Sequence, residues 1–279
     1  MWPTASRTRK SQARFEKFWT NSDSRPEWGG LFQTPSIRQI MNAPQPQTSA
    51  PVSASEIENK TASVIELLAS RICHDLVSPV GAINNGVEFM EDVGDDAEQR
   101  KEALDLISHS ASQASAKLMA FRIAYGAGGK DPNIKPEDVQ KAISQLIGPE
   151  GKISQAWDPY GNLGPKPLPF GFCKMLMCTM MLGMECLVKG GYISVRPGEE
   201  ANQTVIIAEG KDVLVRENVA EALNQELAPD QLDPRLAHPY AIGVIAENYG
   251  FKIRLGDKRE DRVTFVIQSP APEQPSETA

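Results

Sequence analysis

SRICHDLVSPVGAINNG, residues 70–86, sets a histidine beside an aspartate and a proline four residues past that aspartate, inside a run that otherwise has helical spacing. Working outward, apolar residues recur at 57, 64, 68, 72, 76, 80, 83, 87 and 90, in steps of three, four or seven that hold one stripe along an α-helix. Ser55 followed by Glu58 fits a capping box at its start, and the helix is predicted to end near DVGDD, 92–96. A second stripe through Leu104, Ile107, Ala111, Ala114, Leu118 and Phe121 marks a second helix, closed by the glycines of YGAGG, 125–129. Two long helices on a short turn form an αα-hairpin. Such a hairpin cannot enclose its own apolar stripes, so an antiparallel four-helix bundle made by a homodimer is predicted.

His74 lies two residues from both Ile72 and Leu76, and at about 100° per residue it falls roughly opposite the stripe they define. It is expected to face water, on a strip shared with Arg71, Ser78, Gly81, Asn85 and Glu88. Gly81 leaves a shallow place where another protein's backbone can approach. Asp75 can take a hydrogen bond from one imidazole nitrogen and leave the other as a free nucleophile. Pro79 removes an amide donor within the helix, at a cost of about 3 kcal/mol unless a bend is wanted, and a bend there re-aims the His74 turn. Ser78 adds a hydroxyl able to hold a water or a phosphoryl oxygen.

The 279 residues suffice for two ordinary domains. With 29 Lys+Arg against 36 Asp+Glu, the chain lacks the cation surplus that phosphate neutralisation needs, which argues against a nucleic-acid binder. No run reaches the roughly 18–20 apolar residues of a membrane helix. The nearest, MLMCTMMLGMECLV (175–188), is shorter and contains Glu185, and reads as a core helix. Cys73, Cys173, Cys178 and Cys186 sit in apolar helical stretches rather than at disulfide or zinc spacings, and are expected to be reduced, buried thiols of a cytoplasmic protein.

Residues 1–54 are expected to be a disordered leader and linker, basic over 1–50, where seven Lys+Arg meet three Asp+Glu, with Met41 a candidate biological start. Residues 55–128 make the hairpin, 129–268 a second, α/β domain, and 269–279 a disordered tail. In the second domain the pattern predicts a helix near 136–147, a strand near 153–158, the Met-rich helix, strands near 192–197 and 204–209, short helices, and a closing strand pair with REDR (259–262) at its rim. His109 is expected to be a helix-surface or inter-helix residue, and His238, before Pro239, a cap or loop residue.

HDLVSP (74–79) resembles the phosphoacceptor motif of two-component histidine kinases, on the helix where that family carries it, with Val77 at a position that is commonly Arg or Lys. KMLMCTMMLGMECLVKGGYISV (174–195) is similar to the kinase helix and strand that carry two nucleotide- and metal-binding asparagines, but Cys178 and Leu182 stand at those positions. AEGKDV (208–213) replaces the Asp-x-Gly-x-Gly adenine turn, and DPRLAHPY (233–240) lacks the lid glycines. Asparagine oxygens hold Mg²⁺ with the triphosphate and glycines let amides approach phosphates, so the fold signal survives without its ATP chemistry.

Over residues 55–268 the chain resembles the ChpT family of cytoplasmic histidine phosphotransferases, most closely in LLASRICHDLVSPVGAINNGVE (67–88). The resemblance implies an α+β protein: a helical hairpin forming a dimeric four-helix bundle, then a degenerate histidine-kinase-type ATPase-like α/β sandwich. It further implies phosphoryl transfer through His74, with Asp75 and Ser78 assisting, from the receiver domain of a CckA-like hybrid kinase to CtrA-like and CpdR-like response regulators in cell-cycle signalling. Arg71, Gly81, Asn85 and Glu88 are the expected partner-binding residues. No cofactor of its own is expected, Mg²⁺ coming with the receiver, and neither nucleic acid nor membrane is an expected partner. Two other readings stay open: an atypical autophosphorylating histidine kinase, and a non-catalytic dimeric adaptor that docks receivers.

Overall fold

The computed structural model describes residues 54–94, 96–126, 134–148, 151–228 and 232–270. The expected leader up to residue 53, the Ser55 and Glu58 side chains, and the tail from residue 271 lie outside the described residues.

Helix α1, Ala54–Asp92, runs 39 residues with Pro79 inside it. It stops at Gly94, whose positive φ of 62° suits a residue without a Cβ. The Asp96 carboxylate then accepts from the amides of Glu98 and Gln99 and starts helix α2, Ala97–Ala124. The two helices press together at Gly86, where a Cβ would stand 2.5 Å from Cγ1 of Ile107. At the end of α2 the buried Lys174 donates to the carbonyls of Ala124 and Gly126, both at 2.9 Å, placing a cation on the negative helix terminus.

Helix α3, Pro136–Ile147, begins with proline in its first turn. Strand β1 (Ile153–Gln155), helix α4 (Phe172–Glu185), strands β2 (Gly191–Pro197) and β3 (Gln203–Gly210), helix α5 (Val219–Leu223), helix α6 (Ala237–Asn248), and strands β4 (Lys252–Lys258) and β5 (Arg262–Gln268) complete the described chain. The strands form one sheet in the order β1-β2-β3-β5-β4, with β1 parallel to β2 and every other pair antiparallel. Register places Val195 opposite Ile206, Ile206 opposite Phe265 and Phe265 opposite Leu255, an apolar row across one face. Helix α4 lies on that face. A Cβ on Gly183 would meet Ile193, Ile206 and Ala208 at 3.1–3.7 Å, so glycine there sets how closely helix and sheet approach. Apart from the half-buried Cys173, residues all around α4 are buried from Phe172 to Gly183, because the sheet covers one side and α2 the other.

The mixed helix-and-sheet architecture follows the sequence pattern, with four differences. Strand β1 ends at Gln155, ahead of the turn that Asp158 organises by accepting from the Tyr160 amide. Ser269, assigned to the tail, is buried and donates its amide to Asn202. Cys73 is exposed and Cys173 half-buried, whereas Cys178 and Cys186 are buried; all four are free thiols. His238 and Pro239 belong to α6 rather than to a turn, because proline at the third helical position lacks an amide that has no intrahelical acceptor anyway. Among the described residues no helix is long and apolar enough to cross a membrane.

Candidate functional site

The imidazole of His74 is 87% exposed on α1, and its Nδ1 lies 3.3 Å from Oδ1 of Asp75. An ionised carboxylate only accepts, so the pair places the proton on Nδ1 and leaves Nε2 with a lone pair directed at solvent. Asp75 is 31% exposed and turns toward α2 and α4.

Pro79 carries no amide hydrogen, so the carbonyl of Asp75, four residues earlier, lacks its helical donor. Lys117 of α2 supplies one: its Nζ donates to that carbonyl at 2.9 Å. The cost of a mid-helix proline is thereby offset at the turn that carries His74.

Ser78, Asn85 and Glu88 are exposed on the side of α1 that carries His74, and Gly81 has open space where a Cβ would stand. Arg71 does not share this open strip. It is 19% exposed, donates from Nη2 to Oε1 of Glu185 at 2.5 Å, and holds Nε 3.9 Å from Oδ2 of Asp75. Three residues before His74, it sits around the helix on the Asp75 side, where the carboxylate at the end of α4 draws it inward. His109 is exposed on α2, bonded to Gln113 at 3.0 Å.

His238 is enclosed, with no exposed surface, and its Nδ1 meets the same Glu185 oxygen at 2.5 Å. Its ring stands edge-on to Tyr125, with centroids 5.9 Å apart. Burial pushes the Tyr125 phenol well up, so its hydroxyl stays neutral in this charged cluster. Burial works against the Arg71 charge, yet the Glu185 carboxylate, which also bonds it, and Asp75 hold the guanidinium above its ordinary value. Sequence reasoning missed this cluster. The available signal was Glu185 itself, a carboxylate in an apolar helix, which requires a buried cation.

Burial likewise pushes the Glu185 carboxyl up, but the adjoining His238 and Arg71 overcome it and hold the group below its ordinary 4.5. A carboxyl lowered in this way binds more protons unfolded than folded. Its contribution to stability is therefore complete above about pH 4.5 and lost as the pH falls through the folded value. Denaturant titrations are expected to show stability falling on acidification below about pH 4.5, with a shallower fall in Glu185→Gln.

Cys178 and Leu182 are fully enclosed, and the Cys178 thiol faces the Ala124 carbonyl at 3.4 Å. Burial pushes that thiol up to about 12. Neither side chain offers an oxygen ligand, so these positions do not fit the Mg²⁺–triphosphate chemistry of an asparagine pair. Between hairpin and sandwich a cleft of about 250 Å³ opens beside the His74 turn, with Asp75 and Lys117 on one wall and Ile153, Met184 and Glu185 on the other.

Residues 136–261 match the family model described as the histidine phosphotransferase C-terminal domain. The fold and this match define a protein phosphotransferase. The chain is 36% identical over 201 residues to the protein phosphotransferase ChpT of Brucella abortus (strain 2308), an overlap covering 71% of this chain and 91% of that one. It belongs to the ChpT family of phosphotransferases. A bacterial phosphotransferase of known 1.7 Å structure superposes with a TM-score of 0.60 at 30% identity, over 79% of this chain and 100% of the other. The histidine kinase ThkA, in complex with the response regulator protein TrrA, gives a TM-score of 0.42 at 14% identity over 81% and 68% of the two chains.

Proposed function

We propose that this phosphotransferase is a phosphorelay intermediate in which His74 carries the phosphoryl group between receiver-domain aspartates. The observation that supports the reading is an imidazole open to solvent with a carboxylate on one nitrogen only. Nε2 attacks the phosphorus of a receiver's aspartyl phosphate, a P–N bond forms, and the P–O bond to the aspartate breaks, returning a free carboxylate to the receiver. A second receiver's aspartate reverses the step. Positioning and charge neutralisation dominate such transfers. Mg²⁺ belongs to the receiver, Asp75 orients the acceptor ring, and Ser78 lies one turn along, in reach of the transferring group. Gly81, Asn85 and Glu88 continue the strip as the receiver's landing surface.

The finer identity follows the family resemblance. The donor is the receiver of a CckA-like hybrid kinase, the acceptors are CtrA-like and CpdR-like regulators, the setting is cytoplasmic cell-cycle control, and the working form is a homodimer with a four-helix bundle. The sandwich is a degenerate ATPase-like domain kept as a docking surface.

Incubation with a radiolabelled phospho-receiver is expected to put acid-labile, base-stable phosphate on His74. Calorimetric titration with Mg·ATP is expected to give no saturable heat; saturable binding and self-labelling from ATP would move the assignment to a kinase. Receiver binding without label transfer would leave an adaptor.

A further inference from the structure

Glu185, Arg71, Asp75 and His74 form a sequence of polar contacts that begins inside the C-terminal sandwich and ends at the exposed imidazole. Its inner end is fixed. His238 is enclosed on α6, and because an ionised carboxylate only accepts, its Nδ1–H donates to Oε1 of Glu185 at 2.5 Å. The same oxygen takes Nη2 of Arg71 at 2.5 Å. A guanidinium is planar, so holding one corner of it fixes the direction of the others. Nε, one of the two remaining nitrogens, is buried, has no hydrogen-bond partner among the described residues, and stands 3.9 Å from Oδ2 of Asp75. Oδ1 of that carboxylate is the atom beside His74 Nδ1.

We infer that Glu185 is a positioning residue for the reaction at His74, acting through Arg71 to fix where the Asp75 carboxylate stands beside the imidazole. The inference rests on the reading of His74 as the phosphoacceptor. Buried ion pairs are weak sources of net stability, whereas one partner held without the other is costly, so the pair's main product here is orientation. Lys117 of α2 holds the backbone of Asp75, and the Asp75 side chain is linked through Arg71 to Glu185 of α4.

The test uses the full chain and the isolated, radiolabelled receiver domain of a hybrid histidine kinase, with transfer followed over a range of receiver concentrations. Glu185→Gln removes the charge. Arg71→Lys keeps a cation for Glu185 and withdraws the Nε that stands 3.9 Å from Asp75. Each is expected to lower the maximal transfer rate about 10-fold while the half-saturating receiver concentration stays within about 2-fold. In an Asp75→Asn background, Glu185→Gln is expected to cost less than about 2-fold more, because its effect runs through the group already changed. Should Glu185→Gln fail to fold, Arg71→Lys, which retains the ion pair, carries the test. A maximal rate unchanged in both folded variants, or the full 10-fold loss repeated in the Asp75→Asn background, overturns the proposal. Label accepted by His74→Ala would instead overturn the phosphoacceptor reading, so the two failures are told apart.

Discussion

His74→Ala is expected to lose phosphoryl uptake from a labelled receiver by at least about 10³-fold, with folding and receiver binding intact. The ring is 87% exposed, so its removal opens no cavity and leaves no buried partner unsatisfied. What disappears is the only atom on that turn able to form a P–N bond. The chain has three histidines, and the other two serve as controls of different kinds. His109→Ala, on the open surface of α2, is expected to leave uptake unchanged. His238, enclosed against Glu185, has no path to a receiver's aspartate, and any effect of its replacement should register first in the denaturation midpoint. Gel-shift or filter assays with time-resolved quenching read the difference directly, and uptake by His74→Ala at the parental rate would refute the acceptor assignment.

The second large effect concerns assembly. Val77 and Leu104 are 60% and 54% exposed, and Val80, Val87 and Leu118 are exposed beside them on α1 and α2. On α1 these valines occupy the sector between the packed stripe and the His74 strip, so the hairpin has one side against the sandwich and an apolar side that none of the described residues covers. Each such side chain gains about 1.5–3 kcal/mol on full burial. In the proposed homodimer a second hairpin supplies that cover and leaves His74 open. Val80→Glu combined with Leu118→Glu is therefore expected to halve the mass measured by light scattering at micromolar concentration, from twice the 30.5 kDa chain to one copy. Since both residues are exposed in the single chain, the melting of each hairpin onto its own sandwich should change far less than the mass. A parental protein that is already monomeric at that concentration would refute the dimer.

Much of the fold can be read without coordinates because periodicity encodes it. The stripes of α1 and α2, the stop near DVGDD and the alternating strands are local signals, and the elements fall close to where those signals place them. His74 was legible for the same reason, since its angle relative to Ile72 and Leu76 depends on α1 alone. Arg71 was not. Helical geometry says how far around a residue lies, but not which flank a distant segment covers, and only the arrival of Glu185 from α4 turns Arg71 inward. Cys73 failed in the complementary way: its neighbours are apolar, but its own angle falls in the sector that the single chain leaves open. At His238 the following proline suggested a turn, although the first turn of a helix accepts proline without loss. Glu185 was visible as an anomaly, and its two partners, Arg71 and His238, 114 and 53 residues away along the chain, were not.

The Lys117 contact has a mechanical corollary. By donating to the carbonyl that Pro79 leaves vacant, a residue of α2 becomes a rung in the backbone ladder of α1. Helical rungs are ordinarily indifferent to what a neighbouring helix does. This one lengthens as soon as the two rods slide along each other, and the turn it closes is the one bearing the His74 ring, so axial slip within the hairpin and the steadiness of that ring are a single coordinate.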